Sequence, residues 1–143
     1  MSEIKIFIGN CHCGNIQYEF KTALKISEFA IRRCDCSYCT KSGTRYVSDP
    51  NGELSINIGD ESQTSTYEFG TKTAQFKVCA ICGSIPLATS EIDGNLFGIV
   101  NINTLEEAEH FSRHAKVMSY DEETVDERLS RRKKNWIGTV TYR

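Results

Sequence analysis

At 143 residues the chain has the length of a single domain, large enough to bury a core without covalent staples. Its 17 basic and 19 acidic side chains leave a net charge of −2, which excludes the global positive field of a nucleic-acid binder. No apolar run approaches the roughly 18 residues that span a membrane, so neither nucleic acid nor membrane is an expected partner. The opening Met1-Ser2-Glu3-Ile4-Lys5 lacks the charged-then-apolar pattern of a secretory signal, which makes the cytoplasm the expected compartment.

Taken in order, the chain reads as strand after strand. Residues 3–8 alternate, with Ile4, Ile6 and Ile8 as the expected core face and Glu3, Lys5 and Phe7 on the other. Ile16, Tyr18 and Phe20 alternate with Asn15, Gln17 and Glu19 in a second strand, and Gly14 between them supplies the positive φ that a tight bend needs. Residues 21–28 are a polar connection with a short helical turn, and Phe29-Ala30-Ile31 is expected to lead on as a strand. Thr44 to Val47 reads as a short strand and Asp49-Pro50-Asn51-Gly52 as a turn. Leu54, Ile56 and Ile58 alternate, as do Ala74, Phe76 and Val78. Residues 95–102 form an apolar strand buried on both faces. This rhythm of strands and turns predicts an all-β sandwich or folded-sheet architecture. Thr104-Leu105-Glu106-Glu107 has the form of a capping box. Residues 121–134, acidic at the start and basic at the end, predict a surface helix with a thin Val125/Leu129 stripe and Trp136 at its end. Residues 137–142 read as a last strand.

The seven cysteines dominate the chemistry. They fall in three clusters, Cys11-His12-Cys13-Gly14, Cys34-Asp35-Cys36-Ser37-Tyr38-Cys39 and Cys79-Ala80-Ile81-Cys82-Gly83. An odd count rules out a complete disulfide framework, and clustered thiols in a reducing compartment bind metal or do chemistry more often than they pair. The third cluster has the spacing of a zinc knuckle. Redox pairs share that spacing, but they open a helix after a strand, whereas Pro86 and a further strand follow here. The middle cluster puts three thiolates within six residues. They can grip one metal locally, leaving the fourth position to water, a substrate thiolate or a histidine such as His12, His110 or His114. The bland alternative is a second structural site, closed by a histidine or a cysteine from elsewhere. Seven ligands divide into a closed set of four and an open set of three. Three thiolates on Zn²⁺ leave a formal single negative charge, a weak Lewis acid better suited to holding another thiolate than to ionising water. This points toward sulfur chemistry on a thiol.

Cys-His-Cys-Gly-x-Ile-x-Tyr-Glu-Phe at 11–20, Cys-Asp-Cys-Ser-Tyr-Cys-x-Lys-Ser-Gly at 34–43 and Phe-x-x-Cys-x-x-Cys-Gly-Ser at 76–84 resemble the glutathione-dependent formaldehyde-activating enzyme family, which includes the centromere protein V type of domain. Asn101-Ile102-Asn103-Thr104-Leu105 resembles the end of the family core. The resemblance implies a single domain over 1–143, with a core at about 5–105 and a divergent part at 106–143. It implies a mainly β, β-tent-like fold of folded antiparallel sheets built around zinc, with a short C-terminal surface helix. It also implies two zinc ions: a structural one on Cys11, Cys13, Cys79 and Cys82, and a catalytic one on Cys34, Cys36 and Cys39.

The implied activity is that of a carbon–sulfur lyase handling a thiol–aldehyde adduct, S-hydroxymethylglutathione from glutathione and formaldehyde. The alternative is a non-catalytic zinc-stabilised binding module. The want of a long basic tail favours the enzyme. Arg33, Lys41 and Arg45 flank the middle cluster and are candidates to attract the carboxylates of a peptide thiol, while the Arg131–Lys134 run reads as the C-terminal face of a helix. The sequence departs from the family where Lys77-Val78 precedes the third cluster and where Met118-Ser119-Tyr120 lacks a tryptophan.

Overall fold

The first hairpin inverts the expected burial. In the computed structural model, which describes residues 3–143, β1 (Lys5–Asn10) and β2 (Ile16–Thr22) pair antiparallel with Phe7 directly opposite Phe20. Residues opposite one another share a sheet face, so Phe20 draws Phe7 inward. Phe7 is 1% exposed, whereas Ile4, Ile6 and Ile8 are 68%, 47% and 46% exposed. The rings of Phe7, Phe20, Phe29 and Phe111 form one cluster with centroids 5.7 to 6.3 Å apart. Aromatic side chains bury more area than isoleucine and gain from edge contacts, and that decides which face of the strand goes in. The positive φ expected at Gly14 is present.

The chain continues through β3 (Arg32–Cys34), α1 (Ser37–Ser42), β4 (Tyr46–Val47), β5 (Glu53–Ile58) and β6 (Thr64–Tyr67). Then come β7 (Gln75–Cys79), β8 (Leu87–Ile92), β9 (Asn95–Asn101), β10 (Lys116–Met118), α2 (Val125–Asn135) and β11 (Thr139–Tyr142). Two sheets result, one in the order β1-β2-β5-β11 and the other β10-β3-β4-β9-β8-β7-β6. The fold is mainly β, as expected, but the sheets are mixed rather than purely antiparallel, because β11 runs parallel to β5 and β10 parallel to β3.

Two local expectations fail and one strand goes unforeseen, each for an identifiable reason. Phe29 belongs to the core as part of a connection, and the strand starts only at Arg32. Strand β8 carries no alternating signal because small residues, Ala88, Thr89 and Ser90, are all buried. Thr104 opens no capped helix: its hydroxyl donates to the Asn101 carbonyl at 2.7 Å, and only 3₁₀ turns at Ile102–Thr104 and Ala108–His110 form there. The reciprocal capping box sits at Thr124 and Glu127, opening α2.

One core joins both sheets through Phe7, Tyr18, Phe20, Leu54 and Ile56 on one side and Val47, Leu87 and Val100 on the other. A second core, with Phe76, Ala88, Ile92, Phe97, Ile99 and Trp136, lies on the other face of the larger sheet. Strand β9 feeds both, which bears out its double burial. Gly98 permits this crowding. It exchanges backbone hydrogen bonds with Ile137 at 2.8 and 3.1 Å, and a Cβ there would stand 3.1 Å from Leu54 and 3.3 Å from Val140.

Candidate active site

The fold brings the cysteines together as a group of four and a group of three. Cys11 and Cys13 come from the bend between β1 and β2, in the smaller sheet. Cys79 ends β7, in the larger one, and Cys82 lies in the bend that follows. All four sulfurs lie within 4.8 Å of one another, with Cys11–Cys13 at 3.7 Å and Cys13–Cys79 at 3.5 Å. A tetrahedron with zinc–sulfur bonds of about 2.3 Å has edges of about 3.8 Å, so this donor set fits zinc. Cys11 and Cys79 are fully buried against Ile16. The Ile16 N–H donates to the Cys11 sulfur at 3.3 Å.

The group of three is built by a local device. Cys34 ends β3, Cys36 is the N-cap residue of α1, and Cys39 sits in its first turn. Their sulfurs also lie within 4.8 Å of one another. Backbone N–H groups point at them, Cys36 N donating to Cys34 Sγ at 3.5 Å and Cys39 N to Cys36 Sγ at 3.4 Å. Gly43, with φ +68°, closes the helix behind them. The hydrogen bond from Cys39 pulls the Cys34 thiol down to about 6, against burial, while Cys39 itself is pushed up by the same bond and by burial. Burial also raises Cys36. Either group can hold a metal ion, and no histidine joins either one among the described residues. His12, His110 and His114 are all exposed.

The three-cysteine group forms one wall of a cavity of about 550 Å³. Phe69, Phe76, Ile99 and Trp136 line it with apolar surface, Arg32, Arg128, Arg131 and Arg132 with positive charge, and Asp35, Asp121 and Glu123 with negative charge. Arg33, Lys41 and Arg45 do not. Arg45 is instead bound to Asn103 and to the Ser112 carbonyl. The cationic wall thus comes mainly from α2, whose charged run reads in the sequence as a solvated helix face. The inward face of α2 carries Arg128, Leu129 and Arg132, while Val125 is 45% exposed. The spacing 128, 132, 136 was the available signal, since it places two arginines in line with the buried Trp136.

A mainly β chain of two sheets, with two separate cysteine groups each able to hold a metal and one opening on a cavity, is the class defined by fold and site. The family model described as glutathione-dependent formaldehyde-activating enzyme matches residues 6–121, and the chain belongs to this family. The match contains all seven cysteines and runs beyond residue 105. Among solved structures, the crystal structure of a Rhodobacter sphaeroides protein from structural genomics is similar, with a TM-score of 0.58 and 25% identity. The likeness covers 78% of this chain and 99% of that one. No helix among the described residues is long and apolar enough to cross a membrane.

Proposed function

We propose that the protein is a zinc-dependent enzyme of the carbon–sulfur lyase type, which joins a thiol to an aldehyde. Glutathione and formaldehyde, giving S-hydroxymethylglutathione, are the pair the family supports. The observation that carries this reading is the position of Cys34, Cys36 and Cys39 on the wall of a cavity large enough for a small-molecule thiol. Cys11, Cys13, Cys79 and Cys82 supply a full tetrahedron and hold a structural zinc. Cys34, Cys36 and Cys39 supply three sulfurs and hold a catalytic zinc.

A zinc ion held by Cys34, Cys36 and Cys39 would supply a positive centre that favours the ionised form of an incoming thiol near neutral pH. The remaining work belongs to the chain. The apolar wall of Phe69, Phe76 and Trp136 restricts water around the sulfur, and the arginines orient the substrate's charged end. The substrate sulfur, having released its proton, attacks the carbonyl carbon of formaldehyde. A carbon–sulfur bond forms, the carbonyl π pair moves to oxygen, and that oxygen takes a proton to give the hydroxymethyl group. Nothing is oxidised or reduced. Holding both reactants in one cavity supplies the acceleration by proximity.

The test is zinc per chain by mass spectrometry, followed by exchange NMR of ¹³C-formaldehyde with glutathione. Two zinc ions and faster exchange than in buffer are expected, with both the second zinc and the acceleration lost in Cys36→Ser. A protein that holds two zinc ions and leaves the exchange rate unchanged is a zinc-stabilised binding module instead.

A further inference from the structure

We infer that the cavity has a second half that binds an anion, in which Arg32 and Arg132 hold a carboxylate of the thiol substrate. This rests on the reading of the three-cysteine group as a thiol site and names the class of thiol it takes.

The four arginines of the cavity are unequally paired. Glu123 is claimed by two of them. Its carboxylate receives Arg131 at 2.8 and 3.0 Å and lies 3.6 Å from Arg128. Arg131 also stacks on Tyr120, 3.6 Å from the ring centre. Arg32 and Arg132 have no carboxylate within ion-pair distance among the described residues. Arg32 gives one N–H to Ser48 Oγ at 2.7 Å, and Ser48 in turn donates to the Asn135 carbonyl at 2.6 Å, which fixes the guanidinium. The rest of its fork has no acceptor among the described residues. Arg132 is only 7% exposed, donates to Thr73 and Ser90 hydroxyls at 2.8 and 3.2 Å, and has a buried Nε with no acceptor.

Burying a guanidinium without a counter-charge is costly, and Arg132 shows that cost: burial, with Arg131 and Arg128 nearby, lowers it to about 10. A half-buried and a buried guanidinium in the cavity that holds the three sulfurs, neither paired with the Asp35 or Asp121 carboxylate that also lines it, form a receptor for a planar anion. The guanidinium fork matches a carboxylate in a bidentate geometry that lysine cannot offer. Arg132 belongs to a segment beyond residue 121, where the family match ends, so this half of the cavity depends on the chain's own C-terminal helix.

The experiment titrates zinc-loaded protein by calorimetry with 3-mercaptopropionate and with its methyl ester, which differ in the charge of one end. The wild-type protein is expected to bind the acid roughly 10- to 100-fold more tightly, the range of a hydrogen bond to a charged group. Arg32→Gln and Arg132→Gln should each bring that ratio toward one while leaving ester affinity within about two-fold. Arg32→Gln, on a half-buried strand end, guards against Arg132→Gln failing to fold. Equal binding of acid and ester to the wild type overturns the anion site and leaves the thiol site standing. Binding of neither overturns the thiol site and the anion site with it. If Arg32→Gln lowers zinc content and weakens acid and ester alike, the arginines serve the sulfur ligands and not the substrate, and the inference is wrong.

Discussion

Cys79→Ser and Cys36→Ser should have opposite consequences, although each removes one sulfur from a metal-binding group. Cys79 is fully buried with Cys11 and Ile16, and it ties the end of β7 in one sheet to the first hairpin in the other. Its group is spread from Cys11 to Cys82, so the unfolded chain cannot assemble it and the full binding energy favours the folded state. Structural zinc contributes on the order of 10 kcal/mol, and a domain's whole stability is about 5–15 kcal/mol. Cys79→Ser is therefore expected to unfold the protein near room temperature.

Cys36 differs on each count. Its group lies within six residues, which an unfolded segment can also gather around an ion, so metal there adds little to stability. Cys36 is the N-cap of α1, and serine is a favoured N-cap residue that can accept the same Cys39 N–H. The expected cost is under about 1 kcal/mol, or roughly 2–4 °C in melting temperature at this chain length. Circular dichroism melts and zinc content on the two variants decide the matter. Cys36→Ser should melt close to the parent with one zinc fewer. A Cys79→Ser protein that melts within about 5 °C of the parent, or a Cys36→Ser protein that is unfolded, refutes the division into structural and catalytic sites.

Other outcomes follow from the same geometry. In urea denaturation Phe7→Ala should cost roughly 3–5 kcal/mol and Ile6→Ala under about 1, the reverse of what alternation alone implies. Thr124→Ala removes the hydroxyl that accepts the Glu127 N–H at 3.1 Å and should cost about 1 kcal/mol, read by the same method. Thiolate ligands must be deprotonated to hold metal, so zinc is retained at neutral pH and released as pH falls. With three sulfurs against four, Cys34, Cys36 and Cys39 should release first, as a separate step in a chromogenic zinc assay; a single step for both would contradict the difference in ligand number.

The cysteine groups were legible in the sequence because metal-ligand spacing is local, and because seven divides into four and three. The β architecture was legible wherever a strand has one wet face, as in β2 with Ile16, Tyr18 and Phe20. Legibility failed where burial depends on a partner far away in the chain. Period-two alternation identifies β1 as a strand but cannot say which face goes inward, and that is settled by Phe20, Phe29 and Phe111 from three other segments. Strand β8 was silent because two sheet faces and the buried Arg132 demand small residues there, Ser90 among them. The basic face of the cavity was misplaced for a similar reason. Sequence neighbours of the middle cluster were the natural candidates, yet Arg33, Lys41 and Arg45 line other surface, and besides Arg32 the cations arrive from a helix some ninety residues later.

That distance bears on how the fold divides its labour. The four-cysteine group links two sheets and can tolerate little change without loss of the structure. The three-cysteine group needs only the end of β3 and the first turn of α1, so the local backbone presents its sulfurs without help from the other sheet. Most of what surrounds those sulfurs is contributed separately: Phe69 and Phe76 from β7 and the segment before it, and Arg128, Arg131 and Arg132 from α2, which is held down by Trp136 and by Arg132 on Thr73 and Ser90. On the proposed reading sulfur capture rests on β3 and α1, whereas the choice of thiol draws on α2 as well, with Arg32 of β3 serving beside it. If the proposed anion site holds, substitutions along the inward face of α2 should change which thiol is accepted while the cysteine geometry stays fixed. On that reading a seven-cysteine signature speaks to metal binding more firmly than to the substrate.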